Sequence, residues 1–425
     1  MEPLLSSTAF FSSLLGDDHK LQSGIPQWIR DYRRGDLDFL ATARLPSFKD
    51  EEWLYTPLSP LWRQPLKLVD RLDGVLPDQF KKYFIEDAVN ILIYNGRIAG
   101  DITLPDQSFT GVSIEKGDAA FKRLEASREY FSTLTPNDSP LFGRLNRVLF
   151  SDPLVISVGR AVTSPGLINI VNIITSPDAA VFPRIMIKVN EGASLNVVQS
   201  YLSIPDIAYL DLPVTDIVLD AGARLDYGER HLHSTAGTHI GAVRVWQKKD
   251  STLRSCILST GAGIFRSNVN VILEGQGASA EINGLHSLQG EAHADSHTYL
   301  EHVAPNTTSN QLYKCVLEGE SHSVFHGRVF VHREAQQTNS YQLNKNLLLS
   351  RECRVDTKPQ LEIKADDVKC THGATIGQMD EDQLFYLQTR AVSRDEAVRM
   401  LVRGFMDDVL SRVQNPLVRE ALTQE

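Results

Sequence analysis

The segment from Val355 to Thr375 holds a cysteine and a histidine two residues apart, Cys370 and His372. On a strand both side chains leave the same face, because strand residues alternate. A thiolate beside an imidazole supplies two ligands to a soft or borderline metal such as iron, and Lys364 and Lys369 are expected to lower the thiol pKa. Two ligands cannot close a tetrahedral site, so the others would come most simply from a second chain. Taken alone, this spacing is weak evidence, and a buried structural cysteine is the competing interpretation.

Histidine is unevenly distributed: after His19, the remaining eleven histidines all lie between His231 and His372. Imidazole binds iron, zinc and nickel, so a metal site within this region is one interpretation. For any single histidine we favour the alternative, a polar outer face of strands and loops. The histidines that raise this question most directly are His286, His293, His297, His302, His322, His326 and His332.

Motifs of several enzyme classes are absent. There is no G-x-x-x-x-G-K-[ST] sequence, so we expect this chain not to bind or hydrolyse ATP by itself. The stretch from Gly275 to Ala280 superficially matches a dinucleotide fingerprint, but it opens no helix and belongs to a repeat. The hydrolase signatures G-x-S-x-G and H-E-x-x-H do not occur.

The composition narrows the class of protein further. The 425 residues carry a formal net charge of −10, so no basic excess is present to neutralise nucleic-acid phosphates. Four cysteines without a C-x-x-C pair fit a reducing compartment better than a disulfide framework or zinc ribbon. No apolar run of about 18 residues occurs, so we expect no membrane segment. The first residues include Glu2 and lack a basic region, so we expect no signal peptide and a cytoplasmic protein.

Residues 1–150 predict a mainly helical N-terminal domain with linking strands. Within it, the aromatic stretch from Glu52 to Leu58 contains a proline that prevents a helix. We expect Trp53 and Tyr55 to pin this stretch to the core.

Residues 151–376 have a different pattern, in which short β-branched runs alternate with turns built on glycine, aspartate or asparagine. A motif that predicts strand, turn and strand recurs at Val189 to Leu195, Leu219 to Leu225 and Leu273 to Ala280, with weaker copies elsewhere. A period near thirty without intervening helices favours a β-solenoid, in which each coil buries its apolar face on its neighbours. A β-sandwich is the competing interpretation.

Residues 377–425 return to a helical pattern. Ser393 and Glu396 form a predicted capping box, and Asn415-Pro416 predicts the start of a last short helix. One apolar stripe on the longer helix either packs on the solenoid or docks a partner, and it consists of Val398, Leu401, Val402, Phe405 and Val409.

The stretch from Asp356 to Thr375 resembles the signature of the SufB/SufD family of iron–sulfur cluster assembly proteins. Three further stretches are similar to the family: Glu52 to Leu58, Glu301 to Ser309 and Val324 to Arg328. The sequence Lys-Pro-Gln-Leu-Glu-Ile within the Asp356 to Thr375 stretch resembles the SufD branch. SufB members are usually longer and often carry clustered N-terminal cysteines, whereas this chain has none before Cys256. A SufB-like scaffold is the alternative within the family.

The resemblance implies a mainly β fold, a right-handed parallel β-helix core with helical domains at both ends. It implies a non-catalytic scaffold subunit of a SufB–SufC–SufD complex that pairs with SufB through the β-helix. The ATPase SufC would bind the C-terminal helices, and the isolated chain is compatible with a homodimer. A transient Fe–S cluster or iron would be shared with SufB, with His372 as leading ligand and Cys370 as the second. FADH2 is associated only with the assembled complex, and no residue set in this sequence places it.

Two other functions stay open. A carbohydrate-active β-helix enzyme needs acidic residues that converge on one face, whereas the adjacent Asp366 and Asp367 would point to opposite faces of a strand. A purely structural adaptor would use Cys370 and His372 for interface packing alone.

Overall fold

The computed structural model describes residues 10, 13–16, 24–59, 61, 66–69, 76–102, 104, 109–132 and 140–424. The helices within this part are α1 (Gln27–Thr42), α2 (Gly117–Ala126), α3 (Arg128–Ser132), α4 (Pro140–Leu149), α5 (Glu381–Thr389), α6 (Arg394–Leu410) and α7 (Pro416–Thr423). Short 3₁₀ helices cover Glu51–Trp53 and Asp78–Tyr83.

The strands before the main repeat are β1 (Lys67–Leu68), β2 (Val89–Tyr94), β3 (Arg97–Ala99) and β4 (Val112–Lys116). The strands that follow are β5 (Leu154–Val158), β6 (Thr163–Ile174), β7 (Ala179–Val181), β8 (Arg184–Val189), β9 (Ser194–Ser203), β10 (Tyr209–Asp211), β11 (Val214–Leu219), β12 (Arg224–Leu232), β13 (Gly237–Gln247), β14 (Thr252–Ser259), β15 (Ile264–Leu273), β16 (Ser279–Leu288), β17 (His293–His302), β18 (Thr308–Leu317), β19 (His322–Val331), β20 (Thr338–Leu348), β21 (Arg354–Ile363) and β22 (Val368–Gln378).

The strands from β5 to β22 wind into a parallel β-solenoid of about eight coils. The first sheet runs in the order β21-β19-β17-β15-β13-β11-β8-β5-β4, and the second runs β22-β20-β18-β16-β14-β12-β9-β6-β2-β3. From β5 onward, neighbours within each path pair in parallel, so each coil contributes one strand to each sheet. This arrangement confirms the predicted solenoid and excludes the sandwich, whose sheets are built from antiparallel strands.

The repeated strand–turn–strand motif marks the corner between the two sheets. Gly192 and Gly222 occupy equivalent turns with φ of 66° and 67°, a left-handed conformation that costs other residues energy. The turns also hydrogen-bond to one another, since the Gly192 amide donates to the Ala221 carbonyl one coil further along. Between the sheets the apolar residues form one continuous core.

The N-terminal part covers the outer face of the first sheet. Trp53 is buried, and the guanidinium carbon of Arg266 lies 4.0 Å from the centre of its ring. Thr56 is buried as well and donates a 2.6 Å hydrogen bond to Asp295. The expectation for Trp53 is confirmed, whereas Tyr55 is 42% exposed, so its predicted role as a second anchor is wrong.

The C-terminal helices pack on the outer face of the second sheet. Ser393 caps α6 as predicted, but the Glu396 carboxylate bonds Arg399 instead, so only half of the capping box forms. Asn415 accepts two backbone hydrogen bonds at the start of α7, as expected. Leu422 of α7 is buried with strand residues of the second sheet.

No helix in the described part of the chain is long and apolar enough to cross a membrane.

Candidate functional site

The last coil leaves one end of the solenoid open. Strands β21 and β22 are the terminal strands of their sheets, and each pairs with another described strand on one side only. Ile363 and Ile376 of this coil are 38% and 49% exposed. Unpaired strand edges with exposed apolar side chains are a template for a second chain.

Cys370 and His372 both lie on β22, opposite Ser340 and Gln342 of β20. Ser340 and Gln342 are buried, and Cys370 packs half-buried against the interior core. His372 is exposed, because no further described coil covers it. The two candidate ligands therefore continue interior positions of the solenoid onto its uncovered end.

The pKa of the Cys370 thiol is raised by partial burial, which a hydrogen bond with the Ser340 backbone offsets only in part. The prediction that Lys364 and Lys369 lower this pKa is wrong, since neither contributes, and Lys364 lies 3.2 Å from Glu362. Cys370 is accordingly a thiol at neutral pH, and metal binding would have to displace its proton.

The interior becomes polar toward the open end. One stacked column of paired positions runs through Val197, Tyr227, Ser255, Ile282, Gln311, Gln342 and His372. Neither amide atom of Gln342 has a hydrogen-bond partner among the described residues, and the same is true of Gln311 Nε2. The position beneath His372 thus holds hydrogen-bonding groups that the described chain leaves unused.

The other cysteines are poorer candidates for a ligand. All four cysteines are free, and burial raises the pKa of Cys256 and of Cys315 to about 12. Cys353 is half-buried, with its sulfur 3.4 Å from the Gly319 carbonyl oxygen. Cys370 is the cysteine that joins partial exposure to a neighbouring histidine.

The prediction of a polar outer face is wrong for His286 and His302, which are buried inside the solenoid. His293 and His297 do lie on the outer face of the first sheet, but the N-terminal part buries them. Desolvation lowers the pKa of each of these four to about 4. The half-buried ones bond to polar side chains, in the pairs His322–Asp356, His326–Gln360 and His332–Glu301.

A separate group of histidines carries no motif that marks it. Among the described residues, His231, His233 and His239 form the one group of three histidine, cysteine or carboxylate side chains placed to share a metal ion, and their ligand atoms lie within 4.8 Å of one another. The available sequence signal is the two-residue spacing of His231 and His233. No such group of three ligands includes Cys370 and His372, so the described chain places no third ligand beside them.

Members of the predicted apolar stripe differ in exposure. Val409 is buried with residues of the second sheet, and Phe405 lies beneath the Lys314 ammonium at 4.3 Å. Val398, Leu401 and Val402 are half-buried on the outer part of α6. Large exposed side chains nearby are Phe385, Tyr386 and Met400.

Comparison with known proteins identifies the family. Residues 172–405, just over half of the chain, match the SUF system FeS cluster assembly, SufBD core domain. The chain belongs to the SufBD family. The match covers the solenoid from the end of β6 through the last coil and most of α6, so it includes Cys370 and His372.

Similar proteins occur in bacteria and plants. An iron–sulfur cluster assembly SufBD family protein of Synechocystis is 28% identical over 90% of this chain and 86% of its own length. The chloroplastic protein ABCI7 of Arabidopsis thaliana is 30% identical over 94% of this chain and 85% of its own length. The iron–sulfur cluster assembly protein SufD of Escherichia coli is 27% identical over 89% of this chain and 88% of its own length. This SufBD protein therefore belongs to the SUF system of iron–sulfur cluster assembly.

Proposed function

We propose that this SufBD protein is a SufD-type, non-catalytic scaffold subunit of a SUF complex. It pairs with a SufB-type chain through its last coil and offers His372 first and Cys370 second to a nascent Fe–S cluster. One observation carries the proposal: both side chains lie on an uncovered edge strand, with no third ligand beside them in the described chain. A cluster bound there needs ligands from another chain.

The partner surface follows from the same edge. A second solenoid end could pair its own terminal strands with β21 and β22 and cover the exposed Ile363 and Ile376. A SufB-type chain is the proposed occupant in the complex, and a second copy of this chain is the occupant when the subunit is isolated.

The C-terminal helices are the proposed docking site for the ATPase SufC. Val398, Leu401 and Val402 are available on α6, while Val409 anchors that helix to its own solenoid. Lys314 adds a second anchor, since its ammonium donates a 2.9 Å hydrogen bond to the Phe405 carbonyl. The docking stripe is therefore reduced to its three outer members.

A mechanical connection links this docking site to the ligand site. Lys314 lies on β18, which pairs with β20, which in turn pairs with β22. Movement of α6 by a nucleotide-dependent partner would pull on β18 and shift the edge that carries His372. ATP hydrolysis belongs to SufC in this mechanism, and iron and sulfide reach the edge as cargo.

Several finer assignments belong to the same proposal. The assignment to the SufD type is based on the sequence Lys-Pro-Gln-Leu-Glu-Ile and on the similarity to the E. coli protein. The division into domains at 1–150, 151–376 and 377–425 stays a prediction. A reducing, cytoplasmic environment fits four free cysteines, and FADH2 is assigned to the assembled complex alone.

The test of the ligand role is cluster assembly in cells that lack the wild-type gene. We expect His372→Ala to abolish assembly while the chain still co-purifies with its SufB-type partner. Thr371→Ala is the matched control, because Thr371 is an exposed neighbour on the same strand whose side chain lies on the opposite face of the sheet. Normal assembly with His372→Ala would exclude His372 as a required ligand.

The test of SufC docking is co-purification with α6 variants. A Leu401→Asp/Val402→Asp variant should lose SufC and keep the SufB-type chain. Leu417→Asp is the control, since Leu417 is an exposed leucine on α7 of the same C-terminal region. Retention of SufC by the α6 variant would move the docking site elsewhere.

A further inference from the structure

Three imidazole rings meet inside the solenoid at its third and fourth coils. His231 lies on β12, His233 directly follows that strand, and His239 lies on β13. Their ring centres are 4.7–5.4 Å apart. Tyr201 stacks on His231 and Phe265 stacks on His239, so aromatic rings close the cluster on two sides.

Each ring is oriented by an outer partner on one nitrogen. His231 Nε2 lies 3.0 Å from Glu229, and His239 Nδ1 lies 2.9 Å from Asp211. His233 Nδ1 lies 2.8 Å from the Tyr209 hydroxyl. Carboxylate or hydroxyl partners on the far nitrogen are the usual outer support of metal-binding histidines, because they fix the ring orientation.

The three inward nitrogens lie within 4.8 Å of one another, and two of them already have the spacing of metal ligands. His231 Nδ1 lies 3.3 Å from His233 Nε2. Two nitrogens at about 2.0–2.1 Å from one ion with tetrahedral angles are about 3.4 Å apart.

An unpaired carboxylate oxygen provides a second, independent observation. Asp211 is buried, and its Oδ1 has no hydrogen-bond partner among the described residues. A cavity of about 10 Å³, about the room that one water molecule requires, lies beside Asp211 and His233. Its lining is mostly apolar and does not include His231 or His239, so this space is next to the three rings and not between them. A buried, unpaired carboxylate oxygen is costly unless a cation or a donor compensates it.

We propose that His231, His233 and His239 bind one divalent first-row transition-metal ion inside the solenoid, with Asp211 as the nearby compensating charge. Three imidazoles suit Zn²⁺ or Fe²⁺ and leave a fourth position for water, while Asp211 stays on the outer nitrogen of His239. The site lies four to five coils from β22, roughly 20 Å at about 4.8 Å per coil, so it is distinct from the Cys370/His372 edge.

Binding requires one proton to move. Without the ion, one N–H hydrogen lies in the 3.3 Å contact between His231 Nδ1 and His233 Nε2. The ion needs both lone pairs, so His233 carries its hydrogen on Nδ1 instead and donates it to the Tyr209 hydroxyl. That hydroxyl can then donate to Ser203 Oγ, 3.3 Å away. The outer partners therefore accept the rearrangement without leaving a buried donor unpaired.

The experiment measures Zn²⁺ binding by the full-length, chelator-stripped chain in a Cys370→Ala/His372→Ala background, by equilibrium dialysis and elemental analysis. We expect one Zn²⁺ per chain in this background. His233→Gln should lose the ion, and Asp211→Asn should weaken binding by about 10–100-fold. His302→Gln is the matched control, because His302 is a buried interior histidine that contacts only hydroxyl groups, and it should retain the ion.

Two results would overturn the proposal: no bound Zn²⁺ in the double-alanine background, or equal affinity in the His233→Gln and His302→Gln variants. Urea unfolding of each metal-free variant identifies any that fails to fold. If His233→Gln does not fold, the Zn²⁺ affinity of Asp211→Asn decides, and an unchanged affinity would overturn the proposal. Co²⁺ provides an independent readout, since its visible absorption reports the coordination geometry. The double-alanine background separates this outcome from the proposed cluster function, which depends on His372.

Discussion

Replacing His302 with glutamine should make the protein less sensitive to acid. His302 is fully buried, and its two nitrogens lie 2.8 Å from Thr307 Oγ1 and 2.9 Å from Ser309 Oγ. Neither partner is charged, and desolvation is what lowers its pKa to about 4. The folded chain therefore keeps this ring neutral down to a pH of about 4, whereas the unfolded chain already protonates it at a higher pH.

The sign and size of the effect follow from proton linkage. The unfolded histidine has a pKa near 6.5, so between pH 6.5 and about 4 the unfolded state binds a proton that the folded state does not. Stability contributed by neutral His302 is thus lost as the pH falls through this window. Between pH 7 and pH 5 the loss amounts to about 1.8 kcal/mol for this one group.

The assay is the urea unfolding free energy at a series of pH values. Between pH 7 and pH 5, His302→Gln should lose about 1.8 kcal/mol less than the unsubstituted chain. Ser309→Ala is the control: it removes a hydroxyl partner but keeps the titrating ring, so its pH dependence should stay as steep. If His302→Gln loses as much stability over this range as the unsubstituted chain, the reasoning about a buried neutral ring is refuted.

Other predictions test the packing that positions the sites. Leu422→Ala should destabilise the attachment of α7 by about 2–5 kcal/mol and increase proteolysis of the C-terminus, whereas Leu417→Ala, at an exposed position, should change stability by about 0.5 kcal/mol or less. Iodoacetamide at pH 8 should leave Cys256 and Cys315 unmodified by mass spectrometry until urea unfolds the chain, because both thiols are buried with a pKa of about 12. Gly222→Ala should lower the urea unfolding free energy by about 1–2 kcal/mol, since φ is 67° there; an unchanged free energy would show that the turn adapts.

The repeat in the sequence was sufficient to predict the solenoid. A strand–turn–strand motif at a nearly constant period places Gly192 and Gly222 at equivalent corners, where each coil hydrogen-bonds to the next. Strand alternation also predicted that Cys370 and His372 share a face. It could not predict their different exposure, because that depends on where the described coils end and on how closely Cys370 packs against the core.

The burial of the histidines could not be predicted from local pattern. His297 lies on the outer face of the first sheet, where alternation predicts solvent, yet the N-terminal segment with Trp53 and Thr56 covers that face. Only the docking of residues distant in sequence decides this. His302 lies on the inner face, where a polar ring is tolerated because Thr307 and Ser309 satisfy both of its nitrogens.

The polarity of the solenoid interior constrains the partner proposed for the open end. Gln342 lies directly beneath His372, and its amide oxygen and nitrogen are buried without hydrogen-bond partners in the described chain. Covering that column with an apolar surface would bury the His372 ring above two unsatisfied groups, at a cost of about 1–3 kcal/mol for each. An apolar cap at this end would thus weaken the interface. A partner that brings its own donors and acceptors to this position would satisfy Gln342 and orient His372 at once, which a shared metal–sulfur centre requires of the residues around it.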